Sequence, residues 1–258
     1  MYYMANVNAP VFQPAAAAKG VKSDIALSMV TLNMRGFNQS SDFLIDTCNS
    51  GVYDLIHIQE HWLSGGDLHK LAAISADYIM YGVSAMDSVT SGDVLFGRPF
   101  GGCCSLLKCA LAAVTTCCLI TDRIVVLNVG GSLFINLYLP CEDNGGSNEL
   151  LIDILAQVAA VINENNYDYI FLGGDLNTDL NRSRKHSKIV LDFLVAHGMN
   201  YCKLDKSMNY TFSNEKRNAY STIDFWCVTS EMMQYVHSYC TILIVLLFSL
   251  ITCLFNYA

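Results

Sequence analysis

The chain has 258 residues, of which 53% are hydrophobic and 15% charged: enough for one large α/β domain or two small ones, and too apolar to stay disordered. Its formal net charge of −8 excludes a protein that grips nucleic acid through its overall field, so any polyanion contact must be local or assisted by a metal cation. The 11 cysteines show no C-x-x-C spacing, and the adjacent pairs at 103–104 and 117–118 lie in apolar stretches, so they read as buried free thiols in a reducing compartment and not as a zinc site.

Met1 to Gly20 is polar and alanine-rich and has no continuous apolar run of signal-peptide type; residues 1–22 read as a flexible tail and the protein as intracellular, nuclear or cytoplasmic. Ile25 to Met34 predicts a first strand. Ser40 to Asn49 predicts a helix capped by Ser40, Ser41 or Asp42. Tyr53 to Gln59 predicts a second strand ending at Glu60, and Ser64 to Ser75 is helical by pattern. Gly82 to Gly102 is looser, rich in Gly, Ser and Asp, with a proline at 99. Short apolar runs follow at Cys103 to Lys108, Leu111 to Ile120, Ile124 to Val129 and Ser132 to Leu139, and their polar breaks suggest antiparallel pairing. Leu150 to Asn163 carries apolar residues at helical spacing. Tyr169 to Leu172 is a buried strand running into glycines, Lys188 to His197 a helix, and Tyr210 to Ser213 and Ile223 to Val228 late strands. From Thr241 to Phe255 the chain reads TILIVLLFSLITCLF, without charge but shorter than the roughly 20 residues that span a bilayer comfortably. A tail anchor, a buried strand pair and sequence foreign to the domain all stay open for it. The whole predicts a mixed α/β domain of two packed sheets flanked by helices.

Polar residues recur where apolar strands end, the usual place for a site in such a domain. Asn33 closes VTLN, Glu60 closes LIHIQE, Tyr138 lies in NLYLP, Asp175 and Asn177 close YIFLGGDLN, and Asp224 opens IDFW. If the strand stays extended, Asp175 and Asn177 point the same way, while Gly173 and Gly174 let a ligand or another backbone come close. A carboxylate beside an amide suits activation of a water, but an ordinary Asp/Asn turn fits the spacing equally well. Glu60 alone reads more readily as a solvated strand end; a hard cation such as Mg2+ would relieve its burial. Tyr138 reads equally as a phosphate donor or a core tyrosine. His57 reads as structural, His61 and His69 as surface residues. The basic run Arg182, Arg184, Lys185, His186 and Lys188 could contact phosphates, with a solvated helix start as the plainer alternative for each.

In order, the segments LNMRG, QEHW, NLYLP, GGDLNTDL, TF and STIDFW resemble the ordered motifs of the endonuclease/exonuclease/phosphatase superfamily from residue 31 to about 229. Their wording, with GRPFGGCCSLLK, is most similar to the endonuclease domains of non-LTR retrotransposons. The resemblance implies a four-layer α/β sandwich, over residues 23–230, that hydrolyses a phosphodiester with Mg2+ or Mn2+, with DNA as substrate. It implies that Glu60 binds the metal with help from Asn33, that Tyr138 contacts the scissile phosphate, that Asp175 aligns or deprotonates the attacking water beside Asn177, that Thr211 lies near phosphate, and that Asp224 orients a histidine. Two departures stand out. Thr222 replaces the arginine of the family's S-R-I-D motif. The closing Ser-Asp-His strand has no counterpart: EMMQYVHSYC and the apolar tail, 231–258, follow Ser230 outside the family pattern. A truncated or impaired endonuclease is therefore expected, against a non-catalytic remnant or binding protein of the same fold, or a membrane-anchored phosphatase or phospholipid phosphodiesterase.

Overall fold

The computed structural model describes residues 25–87, 90–91, 94–95, 97–143, 145–164, 167–203, 210–214, 218–244 and 248–257, with backbone alone at both ends of this span and at a few strand positions between. The expected tail 1–22 lies outside them. The elements in chain order are β1 (Ile25–Asn33), α1 (Phe37–Asn49), β2 (Leu55–Gln59), α2 (His69–Ala72), β3 (Tyr78–Val83), β4 (Thr90–Ser91), β5 (Val94–Leu95), β6 (Cys103–Lys108), β7 (Thr115–Ile120), β8 (Ile124–Val129), β9 (Ser132–Tyr138), α3 (Ser147–Glu164), β10 (Ile170–Asp175), α4 (Lys185–Ala196), β11 (Met199–Tyr201), β12 (Phe212–Asn214), β13 (Ala219–Ser221), β14 (Asp224–Thr229), β15 (Val236–Ile244) and β16 (Phe248–Tyr257).

Two six-stranded mixed sheets result, ordered β15-β16-β1-β2-β6-β3 and β11-β14-β10-β9-β8-β7. Strand periodicity places their side chains. Along β1, Val30 and Leu32 face outward, where they pack with Leu44 and Cys48 of α1 and Leu71 of α2. Met29 faces inward, against Phe134, Phe171 and Trp226 of the other sheet. In that second sheet Ile135, Leu172 and Phe225 face outward onto Leu151, Leu155 and Val158 of α3 and Val190 and Leu194 of α4. The layers are thus helix, sheet, sheet, helix, as the sequence predicts.

Several local expectations need correction. The α1 helix starts at Phe37, and no side-chain cap bond forms. Gly36 at φ 106 turns the chain into it, and a Cβ there would lie 2.6 Å from the Trp62 ring. Ser40 sits inside the helix and donates to the Met34 carbonyl (2.6 Å). The long helix expected over 64–75 is a 3₁₀ turn (Gly65–Asp67) and the single turn α2, because Gly65 and Gly66 weaken helix propagation. The run expected as one strand over 111–120 begins as a 3₁₀ helix (Cys109–Val114). Cys103 and Cys104 are buried as expected, but Cys117 and Cys118 are exposed, because β7 is the edge of its sheet. His61 is fully buried, not a surface residue.

The backbone of the apolar C-terminal segment is a β-hairpin. The two strands β15 and β16 pair antiparallel, and β16 pairs antiparallel with β1, Leu32 opposite Leu250 and Ile25 opposite Tyr257. Among the described residues no helix is long and apolar enough to cross a membrane.

Candidate active site

The inward-facing parity that buries Met29, Phe134, Phe171 and Trp226 also places Asn33, Tyr138, Asp175 and Asp224, at the open end of the sandwich. Register aligns three of them: Tyr138 lies opposite Asp175 in the parallel β9–β10 pair, and Asp175 opposite Asp224 in the antiparallel β10–β14 pair. In the facing sheet Asn33 lies opposite Gln59, and Glu60 follows at φ 54. Left-handed backbone at a non-glycine residue is unfavourable, and here it recurs around one rim: Arg35 (φ 49), Glu60 (φ 54) and Asn177 (φ 49).

Hydrogen bonds join the two sheets at this mouth. Asn33 Nδ2 donates to Glu60 Oε1 (3.0 Å) and to Asp175 Oδ2 (2.8 Å). The Tyr138 hydroxyl donates to the same Glu60 oxygen (2.9 Å). Asp175 Oδ1 accepts the Asn177 N–H (2.9 Å). Thr211 Oγ1 accepts the N–H groups of Ile223 (2.9 Å) and Asp224 (3.1 Å), fixing the start of β14. Asn33, Arg35, Asp175, Thr211, Phe212, Ile223 and Asp224 line a cavity of about 20 Å3, room for one or two waters.

Burial raises the Asp175 carboxyl to about 6, and Glu60 adds to the shift, whereas the bonds from Asn33 and Asn177 oppose it. Burial, with the Asp175 charge next in size, holds Asp224 well above the usual carboxylate range. Burial and then Glu60 push the Tyr138 phenol up, so it stays a donor at neutral pH.

The structure thus brings Asn33, Glu60, Tyr138, Asp175, Thr211 and Asp224 together. Asn177 is different. Strand β10 ends at Asp175, and Asn177 turns away from extended geometry, so the two side chains do not share a strand face; its amide instead donates to the Leu139 carbonyl (2.8 Å). The glycines before it make room for protein, not for a ligand. A Cβ on Gly173 would meet the Trp226 ring at 2.7 Å, and one on Gly174 (φ 144) the Leu137 carbonyl oxygen at 2.0 Å. Arg182 and Arg184 line a neighbouring cleft with Asn177, Tyr220 and Ser221, outside the acidic cavity. Arg182 is committed to Asp179 (3.0 Å) and to the Tyr220 carbonyl. His186 is buried, with Nε2 3.3 Å from Ser147 Oγ.

Sequence reasoning missed Arg35 and Phe212. The Arg35 guanidinium lies 5.6 Å from the Phe212 ring centroid and draws down the pKa of both aspartates. Its signal was its place in LNMRG, a cation two residues beyond Asn33 in a chain poor in basic residues.

The donors gathered here are hard oxygens from Glu60, Asp175, Asn33 and Tyr138, and among the described residues no thiolate or imidazole lines the acidic cavity. They suit Mg2+ or Mn2+, which take one or two carboxylates and complete their shell with waters and phosphate oxygens. Among the described residues no group of three or more His, Cys, Asp or Glu side chains gathers as a dense metal cluster.

The sandwich is similar to solved structures across nearly its whole length. An AP endonuclease from Leishmania major superposes with a TM-score of 0.68 over 97% of this chain and 93% of that one, at 11% identity. The fold is that of the endonuclease/exonuclease/phosphatase superfamily. The endonuclease domain of TRAS1, a telomere-specific non-LTR retrotransposon, shares this endonuclease/exonuclease/phosphatase fold with a TM-score of 0.64, 13% identity and coverage of 90% and 99%. A Neisseria 3' phosphatase solved with a product DNA hairpin matches at 0.60, 12% identity, over 90% and 100%. No family model matches the chain, and no curated protein does.

Proposed function

We propose that this chain is a Mg2+- or Mn2+-dependent phosphodiesterase acting on DNA, of the retrotransposon endonuclease type. The observation that carries the reading is the convergence of Asn33 and Glu60 from one sheet with Tyr138, Asp175 and Asp224 from the other at a single hydrogen-bonded mouth. A solved 3' phosphatase of the same fold, bound to a product DNA hairpin, supports DNA as the substrate class.

In this reading Glu60, helped by Asn33 and the nearby Asp175, would hold the cation, whose charge would stabilise negative charge building on the phosphate oxygens. Asp175, oriented by the bonds from Asn33 and the Asn177 N–H, receives the proton of the attacking water. Asn177 steadies Asp175 through its backbone N–H. Tyr138, protonated across the neutral range, turns its hydroxyl from Glu60 to a phosphate oxygen. Arg35 adds a fixed positive charge beside the same position. Thr211 holds the β14 start, and with it Asp224, against Asp175.

Incubating the purified chain with supercoiled plasmid and Mg2+ tests the reading. Nicking above that of the E60A/D175A double variant is expected; equal, background nicking by the two would overturn it. One observation favours a second reading, a non-catalytic binder of the same fold. Among the described residues no histidine lines the acidic cavity. Loss of a general acid–base group typically lowers rates by about 10²–10⁴-fold. Binding of the same DNA without nicking would select this reading.

A further inference from the structure

One step below the acidic mouth, the sandwich interior is polar. Thr31, His57, Gln59, Ser105 and Asn136 are each at most 1% exposed, and all take the inward parity of their strands. Gln59 Nε2 donates to Thr31 Oγ1 within its own sheet (3.0 Å) and to Asn136 Oδ1 of the facing sheet (2.6 Å). Asn136 Nδ2 in turn reaches back across the gap to the carbonyls of Cys104 (2.7 Å) and Ile58 (3.2 Å), which are register partners on β6 and β2. The Asn136 side chain is therefore locked in one orientation: its nitrogen is engaged by two backbone carbonyls, and its oxygen faces Gln59.

Such a buried polar bridge stabilises little net compared with apolar packing, yet it is directional where apolar packing is not. Its position matters. Gln59 immediately precedes Glu60, and Asn136 lies two residues before Tyr138 on the same face of β9. The mouth is split between the sheets, with Glu60 and Asn33 on one side and Tyr138 and Asp175 on the other. The bonds that join them (Asn33 to Asp175, Tyr138 to Glu60) require the sheets to keep their spacing and slide to within a few tenths of an ångström. We infer that the Gln59–Asn136 pair is the strut that sets this alignment, which makes both residues positioning residues of the proposed metal site. The inference rests on the proposed function.

The test uses the full chain and Mn2+ alone, with affinity read by titration calorimetry well below the unfolding temperature. Q59M keeps the length of the side chain and removes its donor. Q59M/N136L replaces both partners by apolar groups of similar shape, so the core stays filled if the single variant does not fold. Both leave Asn33, Glu60, Tyr138 and Asp175 in place. The expected result is Mn2+ binding at least tenfold weaker in the folded pair variant, whose thermal transition stays cooperative, with plasmid nicking reduced in parallel. Mn2+ affinity unchanged in the folded pair variant would overturn the strut while leaving the proposed function standing. Failure of the wild-type chain to bind Mn2+ or to nick would overturn the proposed function, and the strut with it.

Discussion

Asp175 and Asp224 face each other across one rung of a β-ladder, both nearly buried, and the Arg35 cation lines the same cavity. Each has a pKa raised above that of an unfolded chain. Folding therefore favours their protonated forms: that contribution is fully present below the unfolded carboxylate value and is lost as pH rises through the folded value, about 6 for Asp175. At pH 8 in metal-free buffer D175N should stabilise the protein by roughly 1–3 kcal/mol, and at pH 4 by nothing measurable. Denaturant titrations at the two pH values check this, and an equal shift at both would exclude titration as its cause. His61 obeys the opposite sign. Its Nδ1 accepts the Leu63 N–H (3.1 Å) and its Nε2 faces the Val83 carbonyl (3.1 Å), so the neutral ring with its proton on Nε2 satisfies both neighbours. Burial lowers His61 to about 4 and His57 to about 3. Both favour the fold above about pH 6.5, and that support fades as pH falls towards the folded values.

At the scale of elements, the strongest local constraint is the close approach of β10 to β9. Alanine at Gly174 would bring a Cβ to 2.0 Å from the Leu137 carbonyl oxygen, at a φ of 144 that side chains rarely adopt. Backbone must move, so G174A should cost about 3 kcal/mol or more, a fall of roughly 6–12 °C in Tm by thermal melting. The hairpin of β15 and β16 gives a second prediction. Thr252 lies opposite Val30 on one side and Cys240 on the other, inside the sheet. Proline there removes a donor from an interior strand, and T252P should lower stability by about 3 kcal/mol. A thermal transition unchanged by T252P would mean that this segment does not pair with β1. These elements also show what was legible in advance. Strands β1, β2, β6, β8, β9, β10 and β14 were readable because they are apolar runs closed by a polar residue or a glycine pair. The third strand, β3, was missed although it alternates buried and half-buried residues from Tyr78 to Val83, because YIMYGV merges with the loose Gly/Ser/Asp stretch behind it. Asn33, Glu60, Tyr138, Asp175 and Asp224 were readable as strand ends. Arg35 and Phe212 were not, since what brings them together is a turn and a hairpin from opposite ends of the chain. The tail was ambiguous for a related reason: charge-free composition suits a membrane and a buried strand alike, and pairing with β1 is a long-range fact.

Across the whole molecule, the space between the sheets changes character along its length. It is apolar at the base around Met29, Leu55 and Phe134, carries the Gln59–Asn136 bridge in the middle, and ends in carboxylates at the mouth. The histidines penalise acid and the aspartates penalise alkali, so the two pairs pull the stability profile of the metal-free protein in opposite directions. By pH 5, His57 and His61 together should already remove about 4 kcal/mol relative to neutral pH, partly offset by relief at the aspartates. H57Q/H61Q should flatten the acid limb of a stability profile measured from pH 4 to 7; an unaltered acid limb would place the sensitivity elsewhere.

Trp226 is one of the chain's 2 tryptophans and fully buried, its ring stacked on His57 at 5.2 Å across the gap between the sheets. Its indole belongs to one half of the sandwich and its imidazole neighbour to the other. The protein consequently contains its own optical gauge of the seam: blue emission while the halves are closed, quenching once the ring beside it takes up a proton, and a red shift when water enters between them. Separation of the two halves can be followed in the native chain without a label.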